Sequence, residues 1–341
     1  MSTVTLSIIM PVFNHPEELK TMIDSILANT YQGWELLAVD DGSEEEAVSV
    51  LRKYEQQDGR VHFISRNRSP KGASTCRNIG LEAAQGEFVI FFDSDDYITP
   101  FCLEQRVKEL QNNPEYDFVV FRSGTYSGNR FHTEASKMNF GYQIYEDDIE
   151  AFCSRTLPFV AVNNIYRRSS LLQRGIQWDT NLLSLQDAQF NLECILSGMR
   201  YCYSSCPSDY GYRINTQGSV SKNINSKAHF DSNIYATECF YKLVQNIYGH
   251  KYDRALYRGM LFLYVKVSRT GFQADFASRL TTLVHKYSPR RGSCLKLQFF
   301  ATKILSRFLP LNLSRRLPIL GYLVWYRRWE GWVVNKQKEL Q

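Results

Sequence analysis

Several features that would assign this sequence of 341 residues to a common class are missing from it. It has no apolar run of about 18 residues, the length that a membrane-spanning helix needs. The longest candidate, residues 317–326, is interrupted by Pro318 and Gly321. The N-terminus has neither the basic nor the apolar segment of a secretory signal peptide. We therefore expect a cytoplasmic protein without a transmembrane helix.

Cysteine pairs and three familiar enzyme motifs are also absent. The eight cysteines form no Cys-x-x-Cys pair, which favours reduced, mostly buried thiols. The absence of Gly-x-x-x-x-Gly-Lys-[Ser/Thr] excludes a P-loop nucleotidase, and the absence of Gly-x-Ser-x-Gly argues against an α/β-hydrolase. Where a dinucleotide-binding protein has glycines after its first strand, this sequence has Pro11-Val12-Phe13-Asn14.

Charge is present but unevenly distributed, although the formal net charge is only +5. Residues 286–341 contain 12 lysines and arginines and two acids, whereas the rest of the chain contains 28 basic and 33 acidic residues. A mildly acidic body therefore bears a basic, aromatic-rich tail. This asymmetry is typical of a protein that works near an anionic surface, either a membrane or a nucleic acid.

Strand and helix patterns alternate over the first 125 residues. The strands are nearly continuous apolar runs separated by helical patterns, which predicts βαβ units and an α/β fold with a mainly parallel sheet. Residues 226–341 are mainly helical, so we expect a first domain over 1–225 and a helical extension over 226–341. The predicted strands are residues 6–13, 34–39, 61–64, 88–92 and 118–121, and the predicted helices begin near Pro16, Glu44, Gly72 and Pro100.

Two acidic clusters follow predicted strands. Asp40-Asp41 ends the second strand, and Asp93-Ser94-Asp95-Asp96 ends the fourth. Ligands of open α/β sheets bind at the carboxyl ends of the strands, and carboxylates there are costly unless they are paired, hydrogen-bonded or bound to metal. Oxygen ligands favour Mg²⁺ or Mn²⁺ over Zn²⁺. The alternative is turn chemistry, because Asp, Gly and Ser are also common in caps and loops.

Four motifs resemble, in order, those of family 2 glycosyltransferases with the GT-A fold. The resemblance is close over residues 6–125 and weaker to about residue 222. It implies a bacterial enzyme of polysaccharide biosynthesis that transfers a sugar from a nucleotide diphosphate, with inversion at the anomeric carbon. The motifs are Ser7-Ile8-Ile9-Met10-Pro11-Val12-Phe13-Asn14, Val39-Asp40-Asp41-Gly42-Ser43, Gly72-Ala73-Ser74-Thr75-Cys76-Arg77-Asn78-Ile79-Gly80 and Phe92-Asp93-Ser94-Asp95-Asp96.

The resemblance also implies a donor site. The nucleobase is held by the backbone of Pro11, Val12 and Phe13 and by the carboxylate of Asp41. That carboxylate can accept a hydrogen bond from the imide N–H of a uracil base. Asp40 is the weaker member of the acidic pair. Arg77 lies near the nucleotide, where its rigid fork suits a base or phosphate oxygen. A helix-surface ion pair is the alternative role for Arg77.

The segment Asp93-Ser94-Asp95 matches the Asp-x-Asp motif of the family. The resemblance implies that Asp95 ligates a divalent cation, Mn²⁺ or Mg²⁺, that bridges the diphosphate. Asp93 then serves the ribose or the water shell of the metal, and Asp96 shares either task or caps the following turn. A cation at this place stabilises the charge that develops on the departing nucleotide diphosphate.

An inverting transfer by direct displacement needs one general base, which deprotonates the acceptor hydroxyl. The resemblance implies Asp187 as this base, although the glutamate that usually precedes it is Gln186 here. A helix N-cap is the alternative role for Asp187, and Asp179 is the second candidate for the base.

Two further segments are similar to parts of the family. Arg213, with Ser219 and Ser221, matches a segment from which an arginine reaches the diphosphate within a closing loop. The segment Asn163-Asn164-Ile165-Tyr166-Arg167-Arg168 matches one that lines the acceptor side, with a basic surface turn as the alternative.

The basic tail, residues 286–341, has apolar residues at roughly helical spacing, followed by an aromatic stretch. This combination predicts helices at an anionic membrane surface, where each basic residue contributes about 1 kcal/mol. The alternatives are packing on the first domain and a homo-oligomer interface. We do not expect nucleic-acid binding, because no recognised reading module accompanies the charge. The aromatic residues are Tyr322, Trp325, Tyr326, Trp329 and Trp332.

Three functions remain to be compared. The first is a metal-dependent inverting glycosyltransferase that is cytoplasmic, peripheral at the inner membrane face, and acts on a glycan or lipid-linked glycan. The second is a catalytically silent scaffold that binds a nucleotide sugar. Such a scaffold would have no chemical reason to keep all five of the residues named at the end of this paragraph. The third, a sugar nucleotidyltransferase, needs a Gly-rich basic loop after the first strand, which is missing. The five residues are Asp41, Arg77, Asp93, Asp95 and Asp187.

Overall fold

The computed structural model describes residues 4–214, 226–267, 273–305, 308 and 320–341. The predicted alternation of strands and helices in the first part of the chain is confirmed, with boundaries that differ by one or two residues. The elements are β1 (Leu6–Val12), α1 (Pro16–Leu27), β2 (Trp34–Asp40), α2 (Glu45–Gln57), β3 (Val61–Ser65), α3 (Ala73–Ala83), β4 (Phe88–Phe91), β5 (Tyr97–Ile98), α4 (Cys102–Asn112) and β6 (Phe118–Val120).

The second part of the chain adds short strands and then helices. A 3₁₀ turn, Ala161–Asn163, precedes β9 and lies near the site described below. The elements are β7 (Ser123–Ser127), β8 (Arg130–His132), α5 (Asp148–Cys153), β9 (Asn164–Arg167), α6 (Arg168–Gln173), α7 (Gln186–Leu196), β10 (Tyr201–Tyr203), β11 (Tyr210–Arg213), α8 (Lys227–Tyr248), α9 (Asp253–Val267), α10 (Gln273–Tyr287), α11 (Pro289–Leu305) and α12 (Leu320–Leu340).

The main sheet has seven strands in the order β10-β6-β9-β4-β1-β2-β3. Six of them are parallel, and β9 runs antiparallel between β4 and β6. The chain extends from β1 through β2 to β3 on one side and places β4 on the other side. This reversal of strand order opens a crevice at the carboxyl end of β1, the position where open α/β sheets bind ligands. A smaller sheet, β5-β11-β7-β8, lies beside it.

Helix α3 packs unusually close to the central strand. A Cβ on Gly80 would lie 2.4 Å from Cγ2 of Ile9, so only glycine allows this approach. The approach fixes the position of Arg77, which lies one turn earlier on the same helix.

A buried ion pair anchors β11 to α4. The Arg106 guanidinium donates to both carboxylate oxygens of Asp209 at 2.6 and 2.8 Å and to the carbonyl of Val162 at 2.8 Å. Both charged side chains are fully buried. Because Asp209 immediately precedes β11, this pair sets the position of a strand whose last residue, Arg213, reaches the candidate site.

Replacing Arg106 with methionine should lower the free energy of unfolding by about 3–5 kcal/mol, because Asp209 would remain buried without a partner. Urea unfolding at neutral pH measures the change. Lys108→Ala on the same helix is the control, since Lys108 forms an exposed pair with Glu104 at 2.6 Å and should cost no more than about 1 kcal/mol. Equal, small losses for both variants would contradict the anchoring role.

The helices after residue 225 pack directly on the first domain. Phe240 and Tyr241 of α8 belong to the same apolar cluster as Phe91 of β4. Among the described helices, none combines the length and apolarity that crossing a bilayer requires. All eight cysteines are free, and only Cys294 is exposed, as expected from their spacing.

Helix α12 packs back on residues 133–145, which connect β8 to α5. Gln337 is 1% exposed, and it donates to the carbonyl of Asn139 at 3.0 Å and accepts from the amide of Ser136 at 2.9 Å. Trp329 donates from Nε1 to the Tyr145 hydroxyl at 3.2 Å. The aromatic stretch predicted for a membrane surface therefore packs, at least through Trp329, on the first domain.

Candidate active site

The candidate site lies at the carboxyl ends of β1, β2 and β4. Loops at two of these ends are tied together, because the amide of Asn14 donates to Ser43 Oγ at 2.9 Å and the amide of Glu44 donates to Asn14 Oδ1 at 2.9 Å. Asn14 and His15 both have positive φ, 57° and 56°, so the chain turns sharply away from β1. The predicted residues Pro11 and Val12 are buried within β1.

Phe13 is the first residue after β1 and is exposed over 46% of its surface. The ammonium group of Lys71 lies 3.8 Å from the centre of its ring. An exposed ring between two acidic loops offers a planar apolar surface at the predicted base-binding position.

The two aspartates after β2 have different surroundings. Asp40 accepts from the amides of Gly42 and Ser43 at 3.0 and 3.1 Å, which is the turn chemistry considered above. Asp41 instead accepts from Arg66 Nε at 2.7 Å and from the amide of Gly72 at 3.0 Å. The Asp41 carboxylate thus ties β2 to the loop that leads into α3, and sequence reasoning missed Arg66.

Arg77 connects two parts of the site. Its Nη2 donates to Asp93 Oδ1 at 2.7 Å, its Nη1 donates to Gln186 Oε1 at 3.1 Å, and its guanidinium lies 4.3 Å from the ring centre of Trp178. The residue is 5% exposed, which contradicts the alternative of a helix-surface ion pair. Its Nε has no protein partner.

Asp187 is the second residue of α7 and lies next to Gln186. Its Oδ1 accepts from the amide of Ala161 at 3.1 Å. Ala161 belongs to the 3₁₀ turn before β9 and not to the helix of Asp187. Burial raises the pKa of Asp187, the positive charge of Arg77 opposes that rise, and Asp93 adds to it. No side-chain cap is formed at the start of α7, so the N-cap alternative for Asp187 is not what the structure shows.

The acids after β4 crowd together. Burial, followed by the negative charge of Asp93, raises the pKa of Asp95 to about 6. Ser94 lies between them, partly buried. Two adjacent carboxylates repel each other, so an added positive charge between them would be favourable.

Asp96 is committed to the protein itself. It accepts from the Tyr210 hydroxyl at 2.5 Å and from the amide of Arg213 at 2.7 Å, and it is 2% exposed. Arg213 Nε also donates to the carbonyl of Asp95, and its Nη2 has no hydrogen-bond partner among the described residues. Asp96 therefore holds β11 against the acidic loop and brings Arg213 beside Asp95, and the contact of Arg213 with a diphosphate stays a prediction.

The carboxylates after β4 are the oxygen ligands that this site offers to a divalent cation. Among the described residues, no cluster of three or more potential metal ligands is assembled. Asp93 and Asp95 supply two carboxylates, which suits Mg²⁺ or Mn²⁺, because such ions are commonly held by one or two carboxylates together with phosphate oxygens and water. Burial and the negative charge of Asp93 raise the pKa of Asp95 despite the nearby Arg213, and a bound cation would favour the ionised carboxylate.

Other predicted residues lie elsewhere. Asp179 accepts from the amide of Asn181 at 2.9 Å and forms a local turn. Asn163 and Asn164 are fully buried, and Arg167 donates to the carbonyl of Tyr116 at 2.9 Å, so this segment forms a buried strand and not an acceptor surface or a basic turn. Ser219 and Ser221 lie outside the described residues.

Known proteins are similar to this chain in sequence and in fold. The profile of "Glycosyl transferase family 2" matches residues 7–175. Poly(ribitol-phosphate) beta-N-acetylglucosaminyltransferase TarP of Staphylococcus aureus is 27% identical over 257 residues, which cover 74% of each chain. Two solved structures are also similar, at identities that indicate the fold alone.

The first is the crystal structure of S. aureus TarS 1–349 in complex with UDP-GlcNAc, with a TM-score of 0.67, 17% identity, and coverage of 96% of this chain and 92% of that one. The second is the mannosyltransferase PcManGT of Pyrobaculum calidifontis in complex with GDP-Man and Mn²⁺, with a TM-score of 0.50, 15% identity, and coverage of 99% and 85%.

The mainly parallel seven-stranded sheet with an acidic carboxyl edge has the architecture of the GT-A fold. The chain belongs to glycosyl transferase family 2, through a domain that the family profile locates at residues 7–175. Its relatives include two enzymes named as poly(ribitol-phosphate) glycosyltransferases.

Proposed function

We propose that this protein transfers a sugar from a nucleotide diphosphate, most simply a UDP-sugar, to a glycan or lipid-linked glycan, with inversion at the anomeric carbon. The observation that carries this proposal is the position of Arg77, which joins Asp93 of the acidic loop to the Gln186–Asp187 end of α7. That contact brings the donor residues and the candidate base to one crevice.

The donor is held in three parts. Phe13 and Asp41 face the base, Arg77 and Arg213 supply cationic donors with nitrogens that have no protein partner, and Asp93 and Asp95 hold Mn²⁺ or Mg²⁺. The cation would stabilise negative charge on the leaving diphosphate. The crystal complexes of TarS with UDP-GlcNAc and of PcManGT with Mn²⁺ support these choices.

The acceptor is activated by one group. Asp187 takes the proton of the acceptor hydroxyl at its carboxylate while the oxygen attacks the anomeric carbon. The amide of Ala161 orients the carboxylate through Oδ1, which leaves Oδ2 for the hydroxyl. Asp96 stays outside the ligand set and positions β11.

A hydrolysis screen tests the proposal. Purified protein is incubated with UDP-GlcNAc, UDP-Glc, UDP-Gal and GDP-Man, with and without Mn²⁺, and release of free nucleotide is measured. We expect release from at least one UDP-sugar that depends on the cation. Binding of a nucleotide sugar without release, even with candidate acceptors present, would favour the silent scaffold.

We also propose that α11 contacts an anionic membrane. Leu297, Phe300 and Ile304 of α11 recur at helical spacing and are 68%, 61% and 40% exposed, and Phe308, three residues beyond the helix, is 79% exposed. They lie within the strongly basic segment 286–341. Exposed apolar side chains beside basic ones are typical of a helix that lies in a membrane interface.

The double variant Leu297→Glu, Phe300→Glu should lower binding to phosphatidylglycerol vesicles by about tenfold or more, because two apolar contacts are replaced by like charges. Sedimentation with vesicles measures the bound fraction, and phosphatidylcholine vesicles report the charge dependence. Leu172→Glu is the control, since Leu172 is also half exposed but lies on α6. Failure of the unaltered protein to sediment would refute membrane contact.

A further inference from the structure

A second cavity, of about 800 Å³, lies between α12 and the segment that leads through α5. Its volume is within the range of small-molecule and glycan sites. None of the residues assigned above to donor, metal or base lines it. Three of the five tryptophans of the chain do so, Trp325, Trp329 and Trp332, together with Tyr145.

The aromatic walls are held in place by the protein. The hydroxyl of Tyr145 accepts from Trp329 at 3.2 Å and donates to the carbonyl of Thr156 at 2.9 Å, and its ring centre lies 5.6 Å from that of Trp332. Arg258 lies 5.1 Å from the ring centre of Trp325 and donates to Glu150 at 3.1 Å. The rings are therefore preorganised.

One wall group lacks a partner. Ser154 is 4% exposed, its Oγ makes no hydrogen bond to any residue that the structure describes, and the residue lines the cavity. A buried hydroxyl without a hydrogen bond lowers the stability of the protein, and a hydrogen bond to a hydroxyl of a ligand would remove this cost. The charged residues of the wall, three basic and four acidic, nearly balance, which favours a neutral ligand over a polyanion.

We propose that this cavity binds a neutral sugar segment of the acceptor glycan at a distance from the reacting hydroxyl. The apolar faces of sugar rings stack on the tryptophans, and their hydroxyls bond to Ser154 and to the charged rim. Thr156 of the wall is five residues from Ala161, so the Cα atoms of Thr156 and Ala161 are at most about 18 Å apart. Ala161 is the residue whose amide orients Asp187. The statement that this sugar segment belongs to the acceptor rests on the proposed function.

Tryptophan fluorescence tests the site, because three of the five tryptophans report from it. The full chain, saturated with UDP, is titrated with maltotetraose, cellotetraose and chitotetraose, and with an oligomer of ribitol phosphate. We expect a saturable change with at least one neutral sugar. No change with any neutral sugar, or a response to the ribitol phosphate oligomer alone, overturns the proposal.

Two variants locate the binding. Trp332→Ala should weaken it by about tenfold or more, and Ser154→Ala, which removes only an unpaired hydroxyl, should weaken it by about fivefold without loss of folding. Tyr248→Ala is the control, because Tyr248 is exposed to the same degree, 39% against 38% for Trp332, but does not line the cavity. Unchanged affinity in both cavity variants overturns the assignment.

Transfer assays separate this proposal from the proposed function. Trp332→Ala should raise the KM for a long glycan acceptor and leave donor hydrolysis unchanged. If no nucleotide sugar is ever hydrolysed or transferred while oligosaccharide binding persists, the proposed function fails and the sugar site stands. If transfer proceeds with the same KM in Trp332→Ala, the role in acceptor binding is refuted.

Discussion

Replacing Asp187 with asparagine is expected to lower sugar transfer by about 100- to 10,000-fold, the usual contribution of a general base. Asparagine keeps the size of the side chain and an oxygen that can accept from the Ala161 amide. The fold and the donor site should therefore persist, and the affinity for UDP should change by less than about threefold. Single-turnover transfer and calorimetric titration with UDP measure the two quantities separately.

Asp179→Asn is the matched control for this change. Asp179 is the other acid considered for the base, but its carboxylate bonds to Asn181 in a local turn. We expect its replacement to leave the transfer rate within about threefold of the unaltered protein. A large loss in Asp179→Asn with full activity in Asp187→Asn would reverse the assignment.

The pH dependence offers a further check on Asp187. A base must be deprotonated to act, so kcat/KM should rise with pH through the pKa of this group. Burial raises that pKa above the ordinary aspartate value of 3.8. The acidic limb of the profile should therefore lie above the range of an ordinary aspartate and disappear in Asp187→Asn.

Replacing Asp95 with alanine should abolish cation-dependent hydrolysis of the donor, with a loss of about 100- to 1,000-fold, because charge on the leaving diphosphate would no longer be stabilised. The affinity for UDP should also become insensitive to Mn²⁺. Folding should be maintained, since the Asp95 side chain makes no hydrogen bond to another described residue in the structure. Nucleotide release across a Mn²⁺ titration measures the effect.

Asp40→Asn is the control for Asp95. Asp40 also follows a buried strand, but its oxygens accept from Gly42 and Ser43, and an asparagine oxygen can do the same. Its cation dependence should match that of the unaltered protein. If Asp95→Ala keeps its response to Mn²⁺, the metal is held elsewhere or is not used.

Local patterns in the sequence were sufficient for the strands and helices of the sheet. Apolar runs such as that of β1 are buried on both faces, so their composition alone indicates parallel strands. The antiparallel strand β9 was not predicted, because it pairs with β4 and β6 and its Asn164 and Tyr166 side chains donate to Asn191, 27 and 25 residues away. Such pairing leaves no local signal.

The sequence predicted the acidic residues of the site, but it predicted less well which residues form hydrogen bonds with them. Motif order identified Arg77, but not that it contacts Gln186, 109 residues later. The partner of Asp41, Arg66, follows β3 and was missed, although a basic residue at a neighbouring strand end was a usable signal. Asp96 could not be separated from Asp95 by sequence, since only three-dimensional contacts show that the Asp96 carboxylate already accepts from Tyr210 and Arg213.

The tail divides into two parts that composition cannot distinguish. Helix α12 contacts the first domain through Trp329 and Gln337, whereas α11 leaves Leu297 and Phe300 exposed. Both helices are basic and apolar, so their average properties are alike.

The stereochemistry of donor hydrolysis tests the central claim most directly. UDP-GlcNAc, or whichever UDP-sugar the screen identifies, is an α-linked donor, and proton NMR follows the anomer that is released before mutarotation. A single base at Asp187 and direct displacement by water predict that the β-anomer appears first. Initial release of the α-anomer would contradict the account, because retention requires a second displacement that one carboxylate acting as a base does not provide.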